Sequence, residues 1–486
     1  MNVSNDIQEN MKMLKNTFKE DESLLLREFS IGGAKNVECL AVYIDGMVDV
    51  ARINTEIISP LLEMKKEATD TDIYLPAILK NKITSAQVEK TADFTKLISY
   101  LINGYTAIFI DGYEDALAIN TQSISRRRVS EPVSEKVVRG PRDGFNESLL
   151  SNIGLIRARI KSENLKIHFR EIGRETKTKV CLCYMDNIAD GGIVKEAEKR
   201  LDAIDIDGIL DSGYIQELIS DEGYSPFRTL GHTERPDVVA GKLLEGRIAI
   251  LCDESPFALT LPFLFVEYFS ANENYYNHFY YATFNRMLSL IGFILSTSVP
   301  AIYIALITFH QEMLPTPLIL SISAARQGIP LPTIAEIILI LFVFEVLREA
   351  SIRIPEVIGQ TISIVGALII GQAAVEARLI SAPIIIVGAL SGITSYLVPK
   401  MEQAVIVVRL VILLASAFLG LYGYTFCGIL LFIHLTSMRS FGVPYMLFSA
   451  SLAADDQKDV IFRAPWWAMN KRPRILASKN IVRKKS

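Results

Sequence analysis

The chain contains few residues that form disulfides or bind metals, with only five cysteines and five histidines among its 486 residues. The cysteines are odd in number and scattered, as is typical of a protein in a reducing compartment. Cys181 and Cys183 are two residues apart in a predicted strand, and no second Cys or His pair lies near them in sequence. We therefore interpret both as core residues rather than zinc ligands. No histidine has a neighbour at ligand spacing, so the sequence predicts neither a metal site nor a cofactor.

The chain also lacks the common motifs of enzymes. It has no glycine-rich dinucleotide turn and no serine-elbow motif. Residues 139–144 (RGPRDG) superficially resemble a phosphate-binding loop, but they lack the Gly-Lys-Ser/Thr ending that coordinates phosphate and magnesium. We interpret their glycines and proline as turn residues. The sequence predicts a protein that is not an enzyme and has no nucleic-acid partner, in which Arg139, Arg142 and Asp143 tie two subdomains or neighbouring subunits together.

Neither end of the chain has an apolar targeting segment. The first thirty residues are charged and contain no hydrophobic core of a signal peptide, so we expect the N-terminal region to stay in the cytoplasm. Residues 463–486 contain eight Lys or Arg and no Asp or Glu. A basic segment after the last hydrophobic run marks the cytoplasmic side and can rest on anionic headgroups. A solvated, disordered tail is the alternative for the last ten residues.

The soluble region contains a repeated pattern. Residues 37–45 resemble residues 179–186 when aligned on Tyr-x-Asp, at an offset of 141, and residues 107–119 resemble residues 249–261 at an offset of 142. Each match has strand-like apolar runs that end at a turn. An amphipathic helix is predicted within the second copy from Val194, Ala197, Leu201 and Ile204.

We therefore predict an α/β soluble N-terminal region with two similar subdomains. The predicted divisions are a charged N-terminal segment at 1–29, subdomains at 30–130 and 149–270, and a linker at 131–148. An all-α polytopic membrane domain at 286–440 and a basic cytoplasmic tail at 441–486 follow.

Hydrophobic runs long enough to cross a bilayer begin near residue 286. We predict about four transmembrane helices and a short re-entrant or interfacial element, with both termini on the cytoplasmic side. The predicted segments are 287–309 with Pro300 inside it, the amphipathic 318–329, the 14-residue element 334–347, then 357–377, 383–398 and 403–434. The last segment is too long for one untilted crossing, so it either tilts or breaks at residues 420–423. Arg409 within it either reaches towards one membrane face or pairs with an acid such as Glu376.

The segment 357–377 is rich in glycine, alanine and polar side chains. Small residues allow close helix packing, so it is either a tightly packed helix or a helix that lines a pore. The candidate pore and gating residues share one helical face and are Gln360, Ile364, Ala367 and Gly371. Charged residues around this helix are candidates for coupling it to its neighbours: Glu345, Arg348, Glu349, Arg353, Glu356, Glu376 and Arg378.

Several long segments are specific enough to indicate a family. They are 138–147 (VRGPRDGFNE), 235–262, 300–332 (PAIYIALITFHQEMLPTPLILSISAARQGIPLP), 344–378 (FEVLREASIRIPEVIGQTISIVGALIIGQAAVEAR) and 463–474 (RAPWWAMNKRPR). Together they resemble the A subunit of the GerA-type spore germinant receptors, from about residue 24 to residue 474.

The resemblance implies a location and partners that the composition does not. Members of the family sit in the inner membrane of dormant spores with a transporter-like B subunit, which is thought to bind the nutrient, and a lipoprotein C subunit. The A subunit is proposed to self-associate as a pentamer into a nutrient-gated cation channel that starts germination. We expect the same function here, with both termini on the spore-core side and membrane lipids as further partners.

Two other functions are compatible with the sequence. One is a non-conducting scaffold that couples signals within the receptor. The other is a secondary transporter, against which stand the lack of an inverted repeat and the small number of spans.

Overall fold

The computed structural model describes residues 2–31, 37–63, 83, 87–123, 131–132, 134–353, 371–446, 459–460, 462–477 and 479–484. Up to about residue 275 the chain forms two antiparallel sheets with helices packed on them. Beyond that point it consists mainly of long apolar helices. The fold class predicted from the sequence is confirmed in this two-part division.

The first subdomain is a five-stranded antiparallel sheet in the order β1-β2-β4-β5-β3. Its strands are β1 (Leu24–Ile31), β2 (Val37–Ile44), β3 (Val88–Thr91), β4 (Tyr105–Ile110) and β5 (Ala116–Asn120). Its two longest described helices are α1 (Ile7–Thr17) and α2 (Phe94–Ile102). Asp6 and Asp93 begin these helices, because each carboxylate accepts a hydrogen bond from a free N–H of the first turn. A short helical segment at residues 50–62 contains a π-helical turn, Ile53–Ile58.

The second subdomain repeats the same sheet, in the order β6-β7-β9-β10-β8. Its strands are β6 (Leu165–Ile172), β7 (Thr178–Met185), β8 (Gly231–Thr233), β9 (Ile248–Cys252) and β10 (Ala258–Leu261). Its helices are α3 (Leu149–Arg159), α4 (Gly191–Asp202), α5 (Ser212–Leu218) and α6 (Pro236–Leu243). The predicted amphipathic helix is α4, which buries Val194, Ala197 and Leu201.

The register of the strands confirms the predicted duplication. Val42 of β2 faces Ala107 of β4, and Cys183 of β7 faces Ala249 of β9. These are the residues that the sequence repeat aligns, so the two copies share strand order and pairing. Cys181 and Cys183 alternate with Leu182 along β7 and lie in the hydrophobic core on one face of the sheet, as predicted.

The C-terminal half contains five helices of eleven or more residues among those described. They are α7 (Phe279–Thr308), α8 (Thr316–Arg326), α9 (Thr333–Arg353), α10 (Ala382–Ser395) and α11 (Glu402–Ser437). By length and composition, α7 and the helix Pro399–Ser437 that includes α11 could each cross a membrane. The predicted 14-residue element at 334–347 is part of α9, which has 21 residues. It is longer than predicted because the charged residues that bracket the apolar run continue the helix.

Helix α11 reverses direction at Gly420, whose φ of +63° and ψ of −142° are not helical. Near one end of α11, Gln403 accepts a hydrogen bond from Arg228 at 3.0 Å, and near the other end His434 bonds Ser225 at 2.9 Å. A straight helix would separate these ends by about 45 Å, far more than the span between two residues three apart in the chain. Of the two alternatives for this long segment, the break is therefore correct, and it produces a hairpin of arms 402–419 and 421–437.

The described part of the C-terminal tail is docked on the second subdomain. The hairpin of β11 (Arg439–Ser440) and β12 (Val443–Pro444) is followed by a segment in which Leu476 and Ala477 are fully buried. Arg483 pairs with Glu245 at 2.8 Å, and Lys479 pairs with Asp186 at 2.9 Å. The alternative of a solvated, disordered tail is therefore wrong for residues 479–484. The prediction was based on the positive charge of the segment, and it did not recognise Leu476 and Ala477 as the apolar residues that anchor it.

Candidate functional site

Helix α9 carries a pair of opposite charges on one side of an otherwise apolar stretch. Glu345 and Arg348 are three residues apart, which places them on neighbouring positions of the helix surface, and they form an ion pair. Arg348 is buried and pairs also with Glu402 at 2.9 Å. Since Glu402 is the first residue of α11, this arginine joins the two helices.

Arg409 extends the same chain of contacts deeper between the helices. It lies two turns after Glu402, about 10 Å further along α11. One of its guanidinium nitrogens donates to Glu345, and another donates to the Ser391 hydroxyl of α10 at 3.3 Å. The Ser391 hydroxyl in turn donates to the Ser296 carbonyl of α7 at 2.7 Å. The charge network formed by Glu345, Arg348, Ser391, Glu402 and Arg409 therefore connects α7, α9, α10 and α11.

The charge network has two carboxylates and two guanidinium groups, so it is formally neutral. Arg409 is only 3% exposed, and its neighbours Val405, Val408 and Ile412 are apolar and buried. In such surroundings an ion pair is strong once formed, but the loss of one partner leaves an unpaired buried charge at a cost of about 3–5 kcal/mol. The network therefore favours one relative position of the four helices over others.

A fully buried carboxylate also lies on α9. Glu336 has no exposed surface, and its Oε2 accepts a hydrogen bond from the Ser381 amide at 2.8 Å. Arg326 approaches its other oxygen to 3.6 Å. This contact ties the end of α8 and the start of α9 to the segment that leads into α10.

The structure places only part of the predicted coupling residues together. Glu345 and Arg348 belong to the charge network, whereas Glu349 and Arg353 pair with each other at 2.6 Å on an exposed face. Glu376 accepts a hydrogen bond from Gln372 at 3.0 Å and is exposed, so it is not the partner of Arg409. Arg409 therefore pairs with an acid of the helical module, as one of the two alternatives predicted, but the acid is Glu345 and not Glu376.

The remaining predicted residues of the membrane half divide into two groups. Arg378 has a φ of +54° and lies against Gly328. Gly371 has open space where a side chain would project, since a Cβ there would meet no atom within 4 Å. The predicted residues Glu356, Gln360, Ile364 and Ala367 lie outside the described residues.

The predicted linker residues make local contacts. Asp143 pairs with Arg159 of α3, Arg142 approaches Glu131 at 3.8 Å, and Arg139 is exposed. A buried contact that the sequence did not indicate joins the two subdomains instead. Arg157 of α3 donates to the Asp21 carboxylate at 2.5 Å and to the Ser23 hydroxyl at 2.8 Å.

Several residues that form or contact the charge network were not predicted from the sequence. Glu402, Ser391 and Ser296 were not among the predicted site residues, although Glu402 and Arg409 are seven residues apart and therefore share a helical face. The spacing of Glu402 and Arg409 is the one signal in the sequence that indicated a member of this group. Among the residues that the structure describes, no group of three or more His, Cys, Asp or Glu is placed to hold a metal ion.

The fold and the charge network define a class of protein with two parts. One part is a soluble region with a duplicated antiparallel sheet. The other is a helical module of membrane character, whose apolar helices bury paired charges. The family model described as Bacillus/Clostridium GerA spore germination protein matches residues 12–475. The chain belongs to this family of spore germination proteins, which includes the A subunits of germinant receptors.

Relatives of known name support this assignment along nearly the whole chain. Spore germination protein KA of Bacillus subtilis (strain 168) is 42% identical over 483 residues, which are 99% of this chain and 88% of the relative. Spore germination protein A1 of the same organism is 34% identical over 461 residues, or 94% of each chain. A relative described as the uncharacterized membrane protein YfkQ, also from B. subtilis, is 39% identical over 474 residues, covering 97% of this chain and 91% of the relative.

One solved structure matches the N-terminal region. It is the crystal structure of the N-terminal domain of the A subunit of the Bacillus megaterium spore germinant receptor GerK3. The two chains are 34% identical, and the match covers 55% of this chain and 98% of that chain, with a TM-score of 0.44.

Proposed function

We propose that this chain is the A subunit of a nutrient germinant receptor in the inner membrane of the spore. In this proposal several copies, five by the family resemblance, assemble into a cation channel that opens when a nutrient binds. A transporter-like B subunit recognises the nutrient, and a lipoprotein C subunit completes the receptor. The chain crosses the membrane several times, keeps both termini on the spore-core side, contacts membrane lipids and catalyses no reaction.

The charge network is the observation that carries the proposal. Charged side chains inside apolar helices are costly and are commonly found where a membrane protein moves ions or changes state. Here the charges hold α7, α9, α10 and α11 in one arrangement, and Arg353 on the same α9 leads into the segment with the predicted pore face. A signal that breaks or forms one pair would shift a two-state equilibrium by a factor on the order of 10²–10³.

The two ends of the helical module support a route for the signal. Arg286 near the start of α7 is 1% exposed and pairs with Asp459 of the C-terminal segment at 2.9 Å. His434 near the end of α11 bonds Ser225 of the second subdomain. A movement of the second subdomain would therefore reach both helices, and through them the charge network.

The experiment compares Arg409→Gln with Arg353→Gln in receptors assembled from A, B and C subunits. Each receptor is reconstituted into potassium-loaded liposomes, and potassium release is recorded before and after addition of a nutrient mixture. Arg409→Gln removes a buried charge, so we expect release that no longer depends on nutrient, or release that is lost. Arg353→Gln removes an arginine whose side chain is 78% exposed, and we expect wild-type release.

A wild-type receptor that binds nutrient but releases no potassium would contradict the channel and favour the non-conducting scaffold. Identical behaviour of both variants would remove the charge network from the gating mechanism. Substitution of Ile364 and Ala367 by larger residues tests the predicted pore face in the same assay, with blocked release expected at unchanged protein level.

A further inference from the structure

A large cavity lies where the second subdomain meets the helical module. Its volume is about 1070 Å³, which is at the upper end of the range for small-molecule sites. Five separate stretches of chain form its walls: residues 134–138, residues 228–247, residues 263–276, the Pro399–Lys400 turn before α11, and the C-terminal segment. We call it the junction cavity. The proposed channel mechanism assigns no role to this cavity.

The described lining of the junction cavity has an excess of positive charge. Nine of its residues are Lys or Arg and six are Asp or Glu. Several of the acids are already neutralised by lining residues. Glu267 pairs with Lys242 at 2.9 Å and with Arg247, and Glu245 pairs with Arg483 at 2.8 Å. Asp237 pairs with Arg235 at 2.9 Å, and Glu135 lies 3.8 Å from Lys400. The uncompensated charge is therefore positive, as expected of a site for a multiply charged anion.

Two buried arginines in the lining have hydrogen-bonding capacity to spare. Arg235 is 1% exposed and Arg247 is 5% exposed, and the Nε of each has no hydrogen-bond partner among the described residues. Their other nitrogens are held by the carbonyl groups of Pro141 and Pro262 and by the carboxylates of Asp237 and Glu267. These contacts fix both guanidinium groups at the wall of the junction cavity, and a buried donor without an acceptor costs free energy.

The position of the junction cavity also favours an anion from the membrane surface. Lys400 belongs to the turn between α10 and α11, and Tyr275 and Trp466 line the cavity beside the start of α7. Trp466 is half exposed, and tryptophan and tyrosine are enriched at the level of lipid headgroups. If α7 crosses the membrane as proposed, the cavity lies near the plane of the headgroups.

We propose that the junction cavity binds a phosphate-bearing anion. Arginine donors form short charge-assisted bonds with phosphate oxygens, and Arg235 and Arg247 supply them from the wall of the second subdomain. Lys400 supplies a cation from the helical module, so one anion would bridge the two parts of the protein. Two sources share this chemistry, an anionic phospholipid headgroup and a soluble phosphate compound, and only the first depends on the proposed membrane location.

The test uses the purified full chain in nanodiscs of phosphatidylcholine at constant ionic strength. Three probes are titrated by calorimetry: inorganic phosphate, dioctanoyl phosphatidylglycerol and, as a neutral headgroup, dioctanoyl phosphatidylcholine. The variant Lys136→Gln/Lys400→Gln removes two partly exposed lysines of the lining and should still fold. Its matched control is Lys195→Gln/Lys199→Gln, which removes the same charge from exposed lysines of α4 outside the cavity.

We expect saturable binding of dioctanoyl phosphatidylglycerol and a loss of about tenfold in affinity in the lining variant, with no change in the control. Binding of inorganic phosphate with the same dependence on the lining lysines indicates a soluble source, and binding of phosphatidylglycerol alone indicates the lipid. Equal weakening in both double variants, or no saturable binding of either anion, would overturn the proposal. Because the assay measures no ion flux, its outcome is independent of the channel hypothesis.

Discussion

Arg157, Arg286 and Arg409 are each at most 3% exposed, and each joins segments that are far apart in sequence. Arg157 pairs with Asp21 between the subdomains, Arg286 with Asp459 at the junction, and Arg409 with Glu345 inside the helical module. A guanidinium group suits this role because it stays charged and can donate several hydrogen bonds in a fixed geometry. The buried pairs therefore fix which segments meet.

The first prediction concerns the contact between the subdomains. Arg157→Ala leaves the Asp21 carboxylate buried without its cation, so we expect a loss of about 3–5 kcal/mol in the free energy of unfolding. Arg174→Ala is the control, because Arg174 and Asp205 form a pair in which both side chains are more than half exposed. Such a pair contributes at most about 1 kcal/mol. Chemical unfolding of the detergent-purified chain, followed by circular dichroism, measures both, and equal losses would contradict the assignment.

At the scale of single elements, the reversal of α11 depends on one residue. Gly420 adopts a positive φ, and a Cβ added to it would lie 3.0 Å from Phe309 Cβ and from His310 Nε2 at the end of α7. Both the backbone conformation and the close approach require glycine. The tip of the α11 hairpin is therefore packed against the end of α7.

The second prediction compares two glycines of α11. Gly420→Ala should destabilise the helical module by about 1–3 kcal/mol, because the φ and ψ of Gly420 lie in a region nearly exclusive to glycine and the Phe309 contact must move. Gly428→Ala meets no atom within 4 Å and should be neutral or stabilise the helix by up to about 1 kcal/mol. Thermal unfolding in nanodiscs distinguishes the two. A Gly420→Ala protein as stable as Gly428→Ala would show that the turn tolerates a side chain.

The elements that could be predicted are those whose pattern of apolar residues and turns is local in the sequence. The alignment of residues around Tyr43 and Tyr184 predicted the duplicated sheets, since strand pairing follows from apolar runs and turns that are visible in sequence. In the charge network, Glu345 and Arg348 were predicted as coupling residues and Arg409 as a residue that could pair with an acid. Their partners were not predicted, because Ser391 and Glu402 lie on α10 and α11. The α11 hairpin could not be derived from the sequence beyond a break near residue 420. Its direction is set by Arg228 and Ser225, which lie 175 and 209 residues from their partners.

At the scale of the whole molecule, the second subdomain is the meeting point of the chain. It contacts the first subdomain through Arg157, both ends of the α11 hairpin through Arg228 and Ser225, and the C-terminal segment through Glu245. Both ends of α11 therefore lie on the side of the membrane that the second subdomain occupies, if α7 and α11 are embedded as proposed.

The third prediction tests the docking of the C-terminal segment. Leu476→Asp places a charge at a fully buried position and removes apolar contacts that stabilise by about 1.5–3 kcal/mol, so the undocked population should rise by one to two orders of magnitude. Faster tryptic cleavage of the full-length protein after Lys471 and Arg474 measures the change. Val482→Asp, at a position 55% exposed, is the control and should be cleaved like the wild type. Equal cleavage of both variants would show that Leu476 does not anchor the segment.

The docked C-terminal segment also has a consequence for the order in which the protein can mature. Leu476 completes a core whose strands were made before any of the apolar helices, and a ribosome reaches it roughly 10–40 s after β10. The contact between Leu476 and the second subdomain cannot form until the last helix has left the ribosome. This contact is therefore made only in a chain whose entire helical module has been synthesised. A prematurely terminated chain lacks Leu476 and exposes an unfilled apolar groove that quality-control proteases can recognise.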